Sequence, residues 1–355
     1  MANIKVAVVD DSAFMRKILS DILNSHHEIE VIAKFRNGKD LIEQFYRYNP
    51  DIITLDVEMP ILNGVDTLKQ LKNSGIKCPV IMLSSLTGEN SAKTLECLDL
   101  GAVDFIEKPV FNHISDNHIF NELMFNKILA IAKKGKENGF AKKSTKATET
   151  MFRETTIKET TFNETKHLIK AVVIGASTGG PKALQKVLVE INENIGVPVF
   201  VVQHMPKGFT KAFADRLNGI CKLKTVEAAN GMPIEINTIY IAQGGYHMTV
   251  GKDNKIWLNE EPTIWGVRPA VDKLFESAVN VYGGNLLSVI LTGMGRDGAN
   301  GTAIIKNSGG ITISEDESTC TIYGMPKAAY ETGKVDMVLQ LQLIANKINT
   351  LVKGR

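Results

Sequence analysis

Cysteine is scarce and dispersed: Cys78, Cys97, Cys221 and Cys320 form no C-x-x-C pair and no Cys/His cluster. That spacing offers neither a zinc site nor a disulfide framework. Long apolar runs are also missing. No stretch approaches the roughly 20 residues that span a bilayer, so membrane insertion is not expected. Neither sign of charge dominates, since 41 Lys and Arg against 39 Asp and Glu leave a formal net charge of +2. Such a balance gives no reason to expect a nucleic-acid partner, and no basic recognition-helix pattern suggests a transcription factor. No repeat with a solenoid period is present. Met1-Ala2-Asn3 leads straight into an apolar run at Ile4, leaving no room for a signal peptide. A cytoplasmic protein is expected.

What is present is an ordinary globular composition, 44% apolar and 23% charged, in a chain of 355 residues. That length suits two domains. Up to about residue 134, short β-branched runs alternate with amphipathic helical patterns. The runs are Ile4–Val9, Val31–Phe35, Asp51–Leu55, Val80–Leu83 and Asp104–Ile106. Five such units predict an open parallel sheet with helices on both faces, a (βα)5 α/β fold. Residues 135–167 are rich in Thr, Lys and Glu and poor in apolar side chains, which predicts a flexible linker. From 168 to 355 a second α/β pattern follows, with strands at Ala171–Gly175, Val197–Gln203, Ile239–Ala242, Leu286–Leu291 and Gly310–Ile313. It predicts a doubly wound, mostly parallel sheet with an antiparallel hairpin over Tyr246–Leu258.

In parallel sheets, ligands gather at the carboxyl ends of the strands. The first block puts Asp10 and Asp11 after its first strand and Asp56 after its third, with Ser84 and Lys108 after its fourth and fifth. Three converging carboxylates repel one another unless a hard cation sits among them, and Mg²⁺ with its oxygen ligands fits. An aspartate beside that ion can accept a phosphoryl group, with Ser84 and Lys108 contacting the new oxygens. The plain alternative is helix capping, with Asp11 the cap of the helix near Ala13.

These residues resemble the receiver domain of two-component response regulators. The resemblance rests on Val9-Asp10-Asp11-Ser12, Leu55-Asp56-Val57-Glu58-Met59-Pro60, Asn63-Gly64, Leu83-Ser84 and Glu107-Lys108-Pro109. It implies phosphorylation of Asp56 by a histidine kinase, an aromatic switch at Phe105 and a cis Lys108–Pro109 bond. Phe105 also reads simply as a core aromatic.

In the second block, Gly175-Ala176-Ser177-Thr178-Gly179 matches G-x-S-x-G, a strand-to-helix turn that exposes a nucleophilic serine. A phosphate-binding turn is the competing reading. A dinucleotide site would want G-x-G-x-x-G and an acid ending the next strand, whereas that strand ends in Gln203-His204. Only His204 and His247 follow Ser177. His204 ends a strand on the expected edge; His247 lies near the hairpin and reads as structural. Asp215 falls inside a helical pattern, which leaves Asp297 as the better orienting carboxylate, although capping of the helix near Ala299 would also explain it. The glycines around Met294 would let backbone N–H groups face an oxyanion.

With the receiver-like block in front, these motifs resemble the chemotaxis protein-glutamate methylesterase family. They are Ile174–Gly180, Gln203-His204-Met205-Pro206, Arg268-Pro269-Ala270-Val271-Asp272, Leu291–Gly298 and Tyr323-Gly324-Met325-Pro326. The resemblance implies Ser177 as nucleophile, His204 as general base and acid, Asp297 as its orienter, and the Met294 amide in the oxyanion hole. It implies as substrates glutamyl methyl esters, and glutamines to deamidate, on the cytoplasmic helices of chemoreceptors. Regulation would run through the receiver, with no cofactor for hydrolysis itself. A non-enzymatic binding platform and a small-molecule esterase are the rivals from other classes. The threonine-rich linker has no counterpart in the family, and Arg296 sets a cation beside Asp297.

Overall fold

The computed structural model describes residues 3–85, 88–109, 118–139 and 168–353. The chain divides into two compact units, Met1–Lys146 and Ala147–Arg355. From 140 onward the expected linker lies outside the described residues.

The first unit holds β1 (Ile4–Val9), β2 (Ile29–Phe35), β3 (Ile52–Asp56), β4 (Val80–Ser84) and β5 (Asp104–Glu107). All pair in parallel, in the order β2-β1-β3-β4-β5. Helices α1 (Ala13–Asn24), α2 (Gly38–Tyr48), α3 (Gly64–Asn73), α4 (Gly88–Leu100) and α5 (His118–Gly139) connect and flank the strands. β3 and β4 are buried along their whole length, which explains their continuous apolar runs. Three helices start on side-chain caps: Ser12 accepts from the Met15 amide, Asn37 from Asp40 and Asn63 from Asp66. Strand order reverses between β1 and β3, so the chain ends after these two strands open a crevice on one edge.

The second unit is built on seven parallel strands in the order β14-β13-β12-β6-β7-β9-β8. These are β6 (Ala171–Ala176), β7 (Val199–Gln203), β8 (Lys224–Glu227), β9 (Thr238–Ile241), β12 (Leu286–Ile290), β13 (Ile311–Glu315) and β14 (Met337–Leu339). The predicted hairpin, β10 (His247–Val250) with β11 (Ile256–Asn259), forms a separate two-stranded sheet. Helices α6 (Gly180–Val189), α7 (Phe209–Asn218), α8 (Val271–Tyr282), α9 (Ala299–Asn307), α10 (Met325–Glu331) and α11 (Leu341–Lys353) complete it. The core cluster joins Val173, Phe200 and Ile290 from the sheet to Leu274 and Phe275 of α8 and Met248 of the hairpin. Strand order reverses at β6, between β7 on one side and β12 on the other. The crevice beyond these ends holds the residues of interest.

One buried ion pair fastens α5 to the sheet of the first unit. Lys127 Nζ lies 2.7 Å from Asp104 Oδ2 and donates to the Phe105 carbonyl at 2.9 Å, with both side chains largely buried. Lys127→Met strands the Asp104 charge and is expected to cost the first unit about 2–4 kcal/mol in urea unfolding. Asp104→Asn combined with Lys127→Met should recover most of that loss. A double variant as unstable as the single one would show that the charge is not the cause.

Candidate functional site

The edge of the first unit brings Asp10, Asp11, Asp56 and Lys108 together, with Ser84 on the neighbouring strand end. Asp10 and Asp56 are buried, Asp11 is exposed, and one carboxylate oxygen from each lies within 4.8 Å of the others. Lys108 Nζ bridges two of them, 2.7 Å from Asp10 Oδ2 and 2.6 Å from Asp56 Oδ2. The backbone amide of Lys108 donates to the Ser84 carbonyl, and Ser84 Oγ accepts from the Thr94 hydroxyl at 2.7 Å. Capping does not account for Asp11, because Ser12 performs that role on α1. Phe105 is buried against the sheet, with Lys127 Nζ 5.9 Å from its ring centroid. The expected cis Lys108–Pro109 bond is not found. Among the described residues the cis peptide is Arg268–Pro269.

Burial pushes the Asp56 carboxyl up to about 6, and the attraction of Lys108 only partly offsets this. The pocket is short of positive charge, and its donors are all carboxylate oxygens, a set that fits a hard divalent cation. The pKa of Asp56 is higher in the folded state than its ordinary value of 3.8. Its contribution to stability is therefore complete below pH 4 and is lost as the pH rises through 6. Without divalent cations, Asp56→Asn should stabilise the first unit by about 2–3 kcal/mol at pH 8 and by little at pH 4. Denaturation curves at the two pH values test this, and an equal gain at both would contradict it.

The second edge is set by strand register. Ala176 pairs with Gln203, and the His204 amide donates to the Ala176 carbonyl at 3.1 Å, which seats His204 across from Ser177. On the other side Gly175 pairs with Ile290, and the Ser177 amide donates to the Thr292 carbonyl at 3.0 Å. Asp297 closes the set, with His204 Nε2 2.8 Å from its Oδ2. Ser177 is half-buried, whereas Asp297 is only 2% exposed. With Nε2 committed to Asp297, Nδ1 is the His204 nitrogen available to a serine proton. The left-handed residue of the turn is Gly179, at φ +76, and not Ser177 itself. Gly179 also begins α6 without a side-chain cap.

Asp297 does not cap α9, whose N-cap is Gly298. Its carboxylate instead accepts from two amides opening α8, Val271 at 2.6 Å and Asp272 at 3.0 Å. Burial raises the pKa of Asp297, but the His204 hydrogen bond and these amides outweigh it and hold the carboxyl below its usual value. His247 is fully buried, with Nε2 3.1 Å from the Pro262 carbonyl and Nδ1 accepting from the Ala270 amide. Both nitrogens are spent on backbone, so His247 is structural. Asp215 is exposed on α7 and paired with Lys211.

Three contributors were not singled out from sequence. The Gln203 side-chain amide donates to the carbonyls of Ser177 (3.0 Å) and His204 (3.1 Å), tying the two turns together. Glu315, fully buried, accepts from the Thr292 amide at 2.7 Å and fixes the loop after β12. Asp272 accepts from the Gly301 amide at 2.7 Å, and burial pushes its carboxyl up to about 6. An acid in the first turn of a helix is the sequence signal for Asp272, but only the fold shows which helix it meets. Among the described residues, the backbone N–H groups of Thr178 and Met294 bond no protein acceptor. The Met294 loop runs against the serine: a Cβ on Gly293 would lie 2.8 Å from Ser177 Cβ.

A chain with a phospho-acceptor type of pocket in one unit and a hydrolase edge in the other is, by class, a response regulator with an enzymatic output. Comparison with known proteins names the family. Residues 6–116 match the response regulator receiver domain, and residues 172–348 match the CheB methylesterase family. The protein-glutamate methylesterase/protein-glutamine glutaminase of Clostridium acetobutylicum is 48% identical over 354 residues, covering 100% of this chain and 99% of its own. That of Pyrococcus abyssi is 43% identical over 352 residues, covering 98% and 93%. The crystal structure of the Thermotoga maritima CheB methylesterase catalytic domain superposes with a TM-score of 0.50 and 41% identity, covering 52% of this chain and 99% of that one. The chain belongs to the CheB methylesterase family.

Gly293→Ala should reduce hydrolysis about 100-fold, because its methyl group collides with the Met325 sulfur and with Ser177 Cβ and so shifts the serine. Turnover within threefold of wild type would show that the loop can yield.

Proposed function

We propose that the protein is a phosphorylation-controlled protein-glutamate methylesterase that also deamidates glutamine. Its receiver spans residues 1–134, its linker 135–167 and its catalytic domain 168–355. Its substrates are side chains on the cytoplasmic helices of chemoreceptors, its phosphodonor is a chemotaxis histidine kinase, and it works in the cytoplasm during chemotactic adaptation. The observation that carries this reading is the 2.8 Å contact between His204 and the buried Asp297 on the strand edge shared with Ser177. No helix among the described residues is long and apolar enough to cross a membrane.

In the proposed reaction Ser177 Oγ attacks the side-chain carbonyl of the substrate while His204 Nδ1 takes its proton. The imidazolium that results is stabilised by Asp297, and the oxyanion is met by the N–H groups of Met294 and Thr178. Each such donor is worth roughly 3–4 kcal/mol in the transition state. The C–O or C–N bond then breaks as His204 returns the proton to the leaving oxygen or nitrogen, which departs as methanol or ammonia. Water, activated by the same nitrogen, hydrolyses the glutamyl ester on Ser177 and restores the hydroxyl.

In the receiver, Asp56 is the proposed phosphoryl acceptor. Asp10, Asp11 and Asp56 would hold Mg²⁺, which when bound neutralises the oxygens of the incoming phosphoryl group. Lys108 and Ser84 are the proposed contacts of the aspartyl phosphate, and Phe105 is the proposed aromatic element of the response.

Methanol release from methylated chemoreceptor membranes tests the whole scheme. Wild-type protein should release methanol faster with a small phosphodonor and Mg²⁺, and Ser177→Ala should lower release by about 1,000-fold or more. Release that survives in Ser177→Ala would remove the serine mechanism. Absence of release from a wild-type protein that carries phosphate on Asp56 would remove the methylesterase reading.

A further inference from the structure

The turn preceding α8 carries a side chain that its backbone disfavours. Ile264 and Val267 exchange both backbone hydrogen bonds, at 3.2 and 3.0 Å, around Trp265 and Gly266 at φ +53 and +76. Two consecutive residues at positive φ are the mark of a type I′ turn, whose first position favours Asn, Asp or Gly. A tryptophan there strains the backbone. Burial does not compensate, because 61% of the residue stays exposed.

The ring is nevertheless held on one face, where the guanidinium carbon of Arg296 lies 5.1 Å from its centroid. Arg296 directly precedes Asp297 and is itself exposed. Among the described residues it pairs with no carboxylate. A guanidinium laid over an aromatic face keeps its in-plane N–H donors free for an anion. A groove lined by Gly295, Arg296 and Gly324 continues along α10, where Lys327 is paired with Glu331 at 3.8 Å, so Arg296 is the cation of the groove without an acidic partner among the described residues.

We infer that Trp265 and Arg296 form a subsite for a carboxylate side chain neighbouring the glutamyl group under attack, so that the enzyme favours acidic segments of its protein substrate. The inference rests on the glutamyl hydrolase reading above. It has a chemical consequence within that reading. Each turnover converts a neutral ester or amide into a carboxylate, so a segment with several sites becomes a better fit for Arg296 as it is processed.

Two peptides of one helical design test this, each with a single glutamyl γ-methyl ester, flanked by glutamates in one and by glutamines in the other. Methanol release by the full chain, with phosphodonor and Mg²⁺, gives kcat/KM for each. Wild type should prefer the acidic peptide roughly three- to fivefold at low ionic strength, and less at high salt. Arg296→Ala should bring the ratio close to one, and Arg296→Lys should keep less than half of the preference, since lysine offers neither fork nor stacking plane. Trp265→Asn is the decisive variant. Asparagine suits the turn, so its melting temperature should hold or rise while the preference falls. A wild-type ratio of one, an unchanged ratio in Arg296→Ala and Trp265→Asn, or equal losses on both peptides would overturn the subsite alone. No release from either peptide by wild type would overturn the hydrolase reading and the subsite with it.

Discussion

The catalytic edge depends on how one buried charge is solvated. Asp297 has almost no contact with water, and a carboxylate in that position would be neutralised or expelled without replacement donors. The donors come from the first amides of α8, whose free N–H groups and dipole favour an anion. This bond does three things together. It keeps Asp297 ionised, anchors the loop after β12 to a helix from elsewhere in the chain, and leaves Oδ2 placed to hold the His204 ring. His247, which accepts from the Ala270 amide, fixes the start of the same helix. The proposed base is thus aligned by a helix terminus that contributes no side chain to the reaction.

The same sheet architecture is used with opposite electrostatics in the other unit. Both acidic sites lie at reversals of strand order, where neighbouring chain ends diverge. At Asp297, hydrogen bonds outweigh burial and the pKa falls; at Asp56, burial outweighs Lys108 and the pKa rises to about 6. The difference suits the two proposed tasks. An orienting carboxylate acts throughout the cycle and gains from permanent compensation. A phosphoryl acceptor gains from a deficit of positive charge that a cation can fill, because that deficit is what draws the ion in.

Much of this was legible in the sequence because periodicity and strand ends carry strong signals. Buried parallel strands gave uninterrupted β-branched runs, and the residues following them (Asp10, Asp56, Ser177, His204) are the ones that converge. Some short elements were not legible. β8, β14 and α10 have four, three and seven residues, too few for a period to register, whereas the equally short β5 and β9 were betrayed by compact apolar runs. Partnerships across the fold were hidden for a different reason. Helix capping was the plain alternative for Asp11 and Asp297, and neither caps the helix that follows it; Ser12 takes the first position and Gly298 the second. Capping arguments look a few residues ahead, whereas the Asp297 carboxylate caps a helix that begins 26 residues earlier. Gln203 likewise read only as the residue before a histidine, although its amide joins both turns. The resemblance misled at Lys108–Pro109, where a family expectation was carried to a peptide bond that no local residue pattern dictates.

The fixed pairing of His204 with Asp297 also bears on how one site could serve two leaving groups. With Nε2 held by the carboxylate, the ring has one orientation, and in the proposed reaction Nδ1 both takes the serine proton and returns it. Methoxide can depart with its protonation lagging, because an alkoxide is a tolerable leaving group. An amide anion is not, so ammonia must receive its proton as the C–N bond breaks. Deamidation therefore leans harder on a stable, well-aimed imidazolium than demethylation does. Whatever anchors Asp297, the opening amides of α8 first of all, then matters more to the glutaminase activity than to the methylesterase activity, although both use the same atoms.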